Sequence, residues 1–222
     1  MDEKAFLANI QKRLASRSEK PAHPGQFGRP VRTLPDDLAA EFHTRLTAVG
    51  GHVYLVHTLS QAADQVQMLL DNWQVQRAAI SGHAILHKVG VLALLQERGI
   101  AMRVETAESP STRNLFSLAD AEVGITGAEY VVAASGTLVM AASTWHTRSV
   151  SLVPPRHVAL VRQSQLLPDL AALSAQLQKD FGAAMPSGLV LISGPSKTAD
   201  IEQTLTIGVH GPGELHVILI NE

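Results

Sequence analysis

Between residues 36 and 104 the chain alternates three times between a helical apolar stripe and a short apolar run, and that alternation limits the fold more than any other feature. Asp36 and Asp37 stand where a helix macrodipole favours acids, Leu38, Phe42, Leu46 and Val49 form a stripe, and Gly50-Gly51 end it. Val53 to Val56 then read as a strand. Ser60 is placed to cap a helix carrying Ala63, Val66, Leu69, Leu70 and Trp73, and Ala78-Ala79-Ile80 reads as a buried strand ending at Ser81-Gly82. A helix with Ile85, Leu86, Val89, Leu92 and Leu95 follows, stops at Gly99 and yields to the strand Met102 to Val104. Short apolar runs separated by helices are the mark of a mostly parallel, doubly wound α/β sheet.

The second half changes character. Gly124 to Glu129, Val131-Val132 and Gly136 to Met140 read as short strands joined by glycine turns, so some antiparallel pairing is expected there. Val150 to Val153 and His157 to Val161 flank Pro154-Pro155, Leu166 to Phe181 reads as a helix, and Leu189 to Ile192 and Leu215 to Ile220 as strands. Ahead of the body, Phe6, Leu7, Ile10 and Leu14 recur at helical spacing, and residues 17–35 are rich in Pro and Gly. The expected organisation is an N-terminal helix and linker over 1–34 and an α/β domain over 35–222. The arm reads first as solvated, with packing of its apolar stripe on a second copy of the chain as the alternative.

Composition narrows the function classes. Eighteen Lys and Arg against 20 Asp and Glu give a net charge of −2, which argues against nucleic acid or anionic membrane as partner. With no cysteine, disulfides, thiolate nucleophiles and self-ligated iron–sulfur clusters are excluded. No basic-then-apolar leader opens the sequence, and no apolar run approaches the roughly 20 residues that span a bilayer, so the cytoplasm is the expected location.

The strongest chemical signal is Leu189 to Ile192 running into Ser193-Gly194-Pro195-Ser196-Lys197-Thr198. A loop of hydroxyls, glycine and lysine between a strand and a helix start offers N–H and O–H donors to an anion. Walker spacing is absent, so ATP does not follow, and there is no Gly-x-Gly-x-x-Gly for a dinucleotide. No bound cofactor is expected. The turn Ser81-Gly82-His83-Ala84 could add a second set of amides, and Gly136-Thr137 a third contact. His83 and His87 sit four apart on one helix face, but without a carboxylate partner they are read as structural rather than as metal ligands. Glu129 follows a glycine turn at a strand end, a place for a general acid or base. Arg148 could clamp a carboxylate or phosphate, and His210, in Gly208-Val209-His210-Gly211-Pro212-Gly213, lies where backbone and ligand can approach closely.

Five segments together resemble the lactate-utilisation protein C family and its LUD domain. They are Ala121 to Tyr130, Ala134 to Val139, Arg148 to Pro154, and Ile192 to Glu202 with Gly208 to Pro212. The resemblance implies a fold similar to the ribose-5-phosphate isomerase and CoA-transferase group. It also implies a role in oxidising L-lactate to pyruvate beside iron–sulfur partner proteins, with a small carboxylate- or phosphate-bearing ligand. Ala134-Ser135 stands where that family usually has an acid and Thr, which removes one carboxylate. Three readings stay open: a non-redox subunit of a lactate-oxidising system, a stand-alone isomerase or acyl/CoA-transfer enzyme using Glu129, and a non-catalytic ligand-binding module.

Overall fold

The computed structural model describes residues 3–15, 37–105, 116–144, 147–182, 184–198, 206–208 and 210–222. Two compact units divide the chain, residues 1–33 and 34–222. In the first, the apolar stripe forms α1 (Glu3–Ala15). In the second, the Asp37 carboxylate accepts hydrogen bonds from Ala39 N and Ala40 N, both 3.0 Å, and starts α2 (Leu38–Ala48). β1 (His52–Val56) leads into α3 (Leu59–Asn72), whose cap is Thr58 rather than the expected Ser60: Thr58 Oγ1 accepts from Gln61 N at 3.1 Å. β2 (Arg77–Ser81) follows.

The helix expected across Ile85 to Leu95 is two helices, α4 (Ala84–Val89) and α5 (Val91–Glu97). Gly90 divides them by taking a left-handed φ of 81°. β3 (Ala101–Glu105), β4 (Val123–Gly127), β7 (Arg156–Arg162) and β12 (Glu214–Ile220) complete a six-stranded sheet in the order β1-β12-β7-β4-β2-β3, parallel throughout. Helices α3, α4 and α5 cover one face, where Val66, Leu70, Leu86 and Leu95 pack on Ile80, Ile125 and Ile218.

The other face carries the antiparallel pairing expected from the short connections. β5 (Tyr130–Val132) and β6 (Thr137–Ala141) form a hairpin, β9 (Leu189–Ile192) pairs antiparallel with β6, and β8 (Leu166–Leu167) pairs parallel with β5. Phe42 and Leu46 of α2 pack with Val131, Leu138 and Met140 of this second sheet on Ala159, Val217 and Leu219. Its far side is closed by Leu173 and Leu177 of α7 (Leu170–Phe181). The expected start of that helix at Leu166 is overturned, because Leu166-Leu167 pair with Val131-Val132 and Asp169 caps the helix at Ala172 N, 2.8 Å away.

Val150 to Val153 is not a strand. Residues 149–152 form the one-turn helix α6 (Ser149–Leu152), laid so close over β4 that a Cβ on Gly124 would stand 2.0 Å from Val150 O. An apolar run of four residues fits either element, and here tertiary packing decided. Among the described residues, no helix is long and apolar enough to cross a membrane.

Candidate functional site

Ser193 and Gly194 leave the end of β9 and turn back over the sheet. Gly194 holds φ at 129° against Val49, whose Cγ2 would be 2.9 Å from any Cβ there. The loop is then stapled to the turn at 208–213: Ser196 N donates to Pro212 O at 2.8 Å, and Gly208 N donates to Ser196 O at 2.9 Å. Two segments that the sequence keeps apart therefore share one wall. Between them lies a cavity of about 230 Å³ whose polar lining is Ser151, His157, Ser193, Ser196 and His210.

Thr137 fixes Ser193. Its Oγ1 is 2.7 Å from Ser193 Oγ and 2.7 Å from Ser135 Oγ, a chain of three hydroxyls. Gly136 is there for close approach, since with φ at 60° a Cβ would lie 2.6 Å from Leu46 N of α2. His157 is fully buried, and its Nε2 is 2.8 Å from Thr126 Oγ1. Sequence reading passed over it as the first turn of an apolar strand. The available signal was a lone imidazole opening an otherwise aliphatic run.

Other expected site residues lie elsewhere. Lys197 Nζ donates to Val49 O at 2.6 Å, at the carboxyl end of α2, where a cation is favoured by the helix dipole. Lys197 and Thr198 form β10 (Lys197–Thr198), paired antiparallel with β11 (Thr206–Ile207), and the helix expected to follow Thr198 lies outside the described residues. Residues 199–205 lie outside the described residues.

Ser81 and Gly82 lie at the carboxyl end of the parallel sheet, whereas His157 lies near its amino end. Ser81 is 1% exposed, with an Oγ that has no hydrogen-bond partner among the described residues. Beyond it, His83 Nδ1 accepts from Ile85 N at 3.2 Å and caps α4. This arrangement leaves Nε2 as the N–H of the neutral ring, and burial, then the nearby Arg162, lowers the imidazole's pKa. Gly127 permits it, because a Cβ there would be 2.2 Å from His83 Nδ1. Here, between β2 and β4, the chain connections diverge to opposite sides, the crevice where open α/β sheets bind ligands. A second cavity of about 220 Å³ at that end is lined by His83, Lys88, Arg162, Ser164 and Gln165.

Glu129 is tied to the same region. Gln165 Nε2 donates to Ala128 O at 2.5 Å and to Glu129 O at 3.0 Å. The Glu129 carboxylate accepts from Ala141 N at 2.7 Å, and burial raises its pKa against the lowering effect of backbone hydrogen bonds. Arg148 lines a third, open groove, with Leu152 shared between this groove and the Ser193 cavity. His83 and His87 gather no third ligand: among the described residues no group of three or more metal-ligating side chains occurs.

The LUD domain family matches residues 39–220, nearly the whole of the second unit. The chain belongs to the LUD domain family. It is 33% identical over 165 residues to the uncharacterized protein YkgG of Escherichia coli K12, covering 73% of this chain and 71% of that one. It is 32% identical over 170 residues to lactate utilization protein C of Halalkalibacterium halodurans, covering 75% and 71%. With lactate utilization protein C of an Exiguobacterium species the identity is 33% over 190 residues, covering 80% and 76%. The crystal structure of a DUF162 family protein from Deinococcus radiodurans superposes with a TM-score of 0.54 at 20% identity, over 82% of this chain and 96% of that one, a likeness of fold. The LUD domain match thus includes the three cavities described above, and two of these relatives carry the name lactate utilization protein C.

Proposed function

We propose that this LUD domain chain serves the oxidation of L-lactate to pyruvate as a non-redox subunit that holds a small anionic ligand beside iron–sulfur partner proteins. The observation that carries this reading is the meeting of Ser193, Ser196 and His210 with Ser151 and His157 around one cavity of about 230 Å³. Hydroxyls donate to carboxylate or phosphate oxygens, and an imidazole N–H can do the same. With no cysteine in the chain, thiolate-ligated clusters belong to the partners. Purifying the tagged chain from lactate-grown cells of its native host tests the partnership: iron–sulfur proteins should co-purify, and their absence under conditions that support lactate growth would count against it.

The alternative, an isomerase or acyl/CoA-transfer enzyme, is supported by a specific observation at the other end of the sheet. The Glu129 carboxyl is pushed toward its protonated form, and its backbone carbonyl accepts from Gln165, a residue that lines the cavity with Lys88 and Arg162. A carboxyl shifted toward its protonated form can act as a general acid, which an isomerase or acyl-transfer step requires. Glu129→Gln should then abolish turnover and leave substrate binding in place; unchanged turnover would remove this reading.

A further inference from the structure

Arg148 is exposed, and among the described residues it has no ion-pair partner. Its guanidinium runs along the backbone at Gly188, where a Cβ would stand 3.7 Å from Nη1. The groove it lines measures about 800 Å³, and the other polar walls are Ser143, Thr144, Thr147, Ser149 and Ser187. Leu152 and Val153, 39% and 46% exposed, form an apolar side.

We propose that this groove binds the phosphate group of an extended ligand. A guanidinium gives two parallel N–H bonds to neighbouring oxygens of an oxyanion, which by itself meets the needs of a carboxylate. Ser143 Oγ is buried, and the four other hydroxyls, of Thr144, Thr147, Ser149 and Ser187, call for a group with more acceptor oxygens; a phosphate has three terminal ones. Thr147 Oγ1 and Ser149 Oγ lie 2.9 Å apart, so one donates to the other and the second hydroxyl keeps its proton for a ligand. At about 800 Å³ the groove is far larger than the 230 Å³ Ser193 cavity, so the phosphate arrives attached to a bulkier group. Leu152 lines both spaces. Resting on the proposed function, that shared wall lets one ligand anchor its phosphate at Arg148 and reach past Leu152 toward Ser193 and His210.

Calorimetric titration of the full chain with inorganic phosphate and with pyrophosphate, at low ionic strength, tests the site. Saturable binding is expected, tighter for pyrophosphate if the natural group is a diphosphate and comparable for the two if it is a monoester. Arg148→Gln should weaken it at least tenfold, Arg148→Lys should retain part of it, and Arg148→Gln should weaken it by the same factor in a Ser193→Ala background. Arg148 is exposed, so both variants should melt with the wild type, which a thermal scan confirms. Equal affinity in wild type and Arg148→Gln, or no saturable binding of either probe, overturns the proposal. Loss of lactate-dependent growth in Ser193→Ala with pyrophosphate binding intact separates the Ser193 cavity from the Arg148 groove.

Discussion

At the scale of single residues, the Ser193 cavity depends on groups that never face it. Thr137 orients Ser193 through a 2.7 Å hydroxyl contact. Thr137→Val removes that contact and keeps the shape, so the affinity of the anionic ligand, measured by calorimetry, should fall about threefold to tenfold, the worth of one ordinary hydrogen bond. Two glycines separate rigid from adjustable crowding. A Cβ on Gly124 meets the carbonyl oxygen of Val150, whereas a Cβ on Gly127 meets the ring of His83. Gly124→Ala must lift α6 and should cost about 1–3 kcal/mol in chemical denaturation. Gly127→Ala can be relieved by turning the imidazole, so it should cost less while releasing the cap on α4. A Gly124→Ala protein as stable as wild type would show that α6 does not sit on β4. Ser193, Gly194, Ser196 and His210 were legible in the sequence because hydroxyl- and glycine-rich turns stand out. Lys197 was misplaced because its partner is a carbonyl 148 residues away, and such pairings leave no local trace.

At the scale of elements, edge strand β1 carries a second cluster of imidazoles. His52 and His216 are register partners whose rings stack at 4.4 Å, Tyr54 Oη lies 3.0 Å from His216 Nδ1, and Trp73 meets His216 edge-on at 4.8 Å. Glu214 and Arg156, paired across β12 and β7 at 3.1 Å, face the same group. Burial, then the neighbouring His52, lowers the His216 pKa to about 4, against a partial raising effect of Glu214. Since the folded state binds this proton more weakly than the unfolded chain, stability is complete above the unfolded value near 6.5 and declines as pH falls toward 4. The expected loss over that window is on the order of 3 kcal/mol at most, and His216→Phe should flatten the curve relative to wild type. Identical pH profiles for the two proteins would remove His216 as the cause. The parallel sheet itself was legible from alternating helical stripes and aliphatic runs. The break at Gly90, the helical turn at 149–152 and the strand at Leu166-Leu167 were not, because each is decided by packing against another element rather than by local periodicity.

At the scale of the whole molecule, the Ser193 cavity, the Arg148 groove and the His83 cavity lie at two ends of one sheet of the LUD domain. Two of them share Leu152, and the third sits where the connections of β2 and β4 diverge. His157 completes the first space from the central sheet while Ser193 comes from the second sheet, so the cavity exists only when the two layers pack. That assembly explains why sequence alone found its loops and missed its floor. Growth on L-lactate as sole carbon source tests the central claim most directly, in a strain of the native host lacking this gene and complemented with wild type or with Ser193→Ala/His210→Gln at equal protein levels. The expected result is no growth without the gene, full growth with wild type and at least a severalfold slower rate with the double variant. Normal growth of the deletion strain, or full rescue by the double variant, would contradict it.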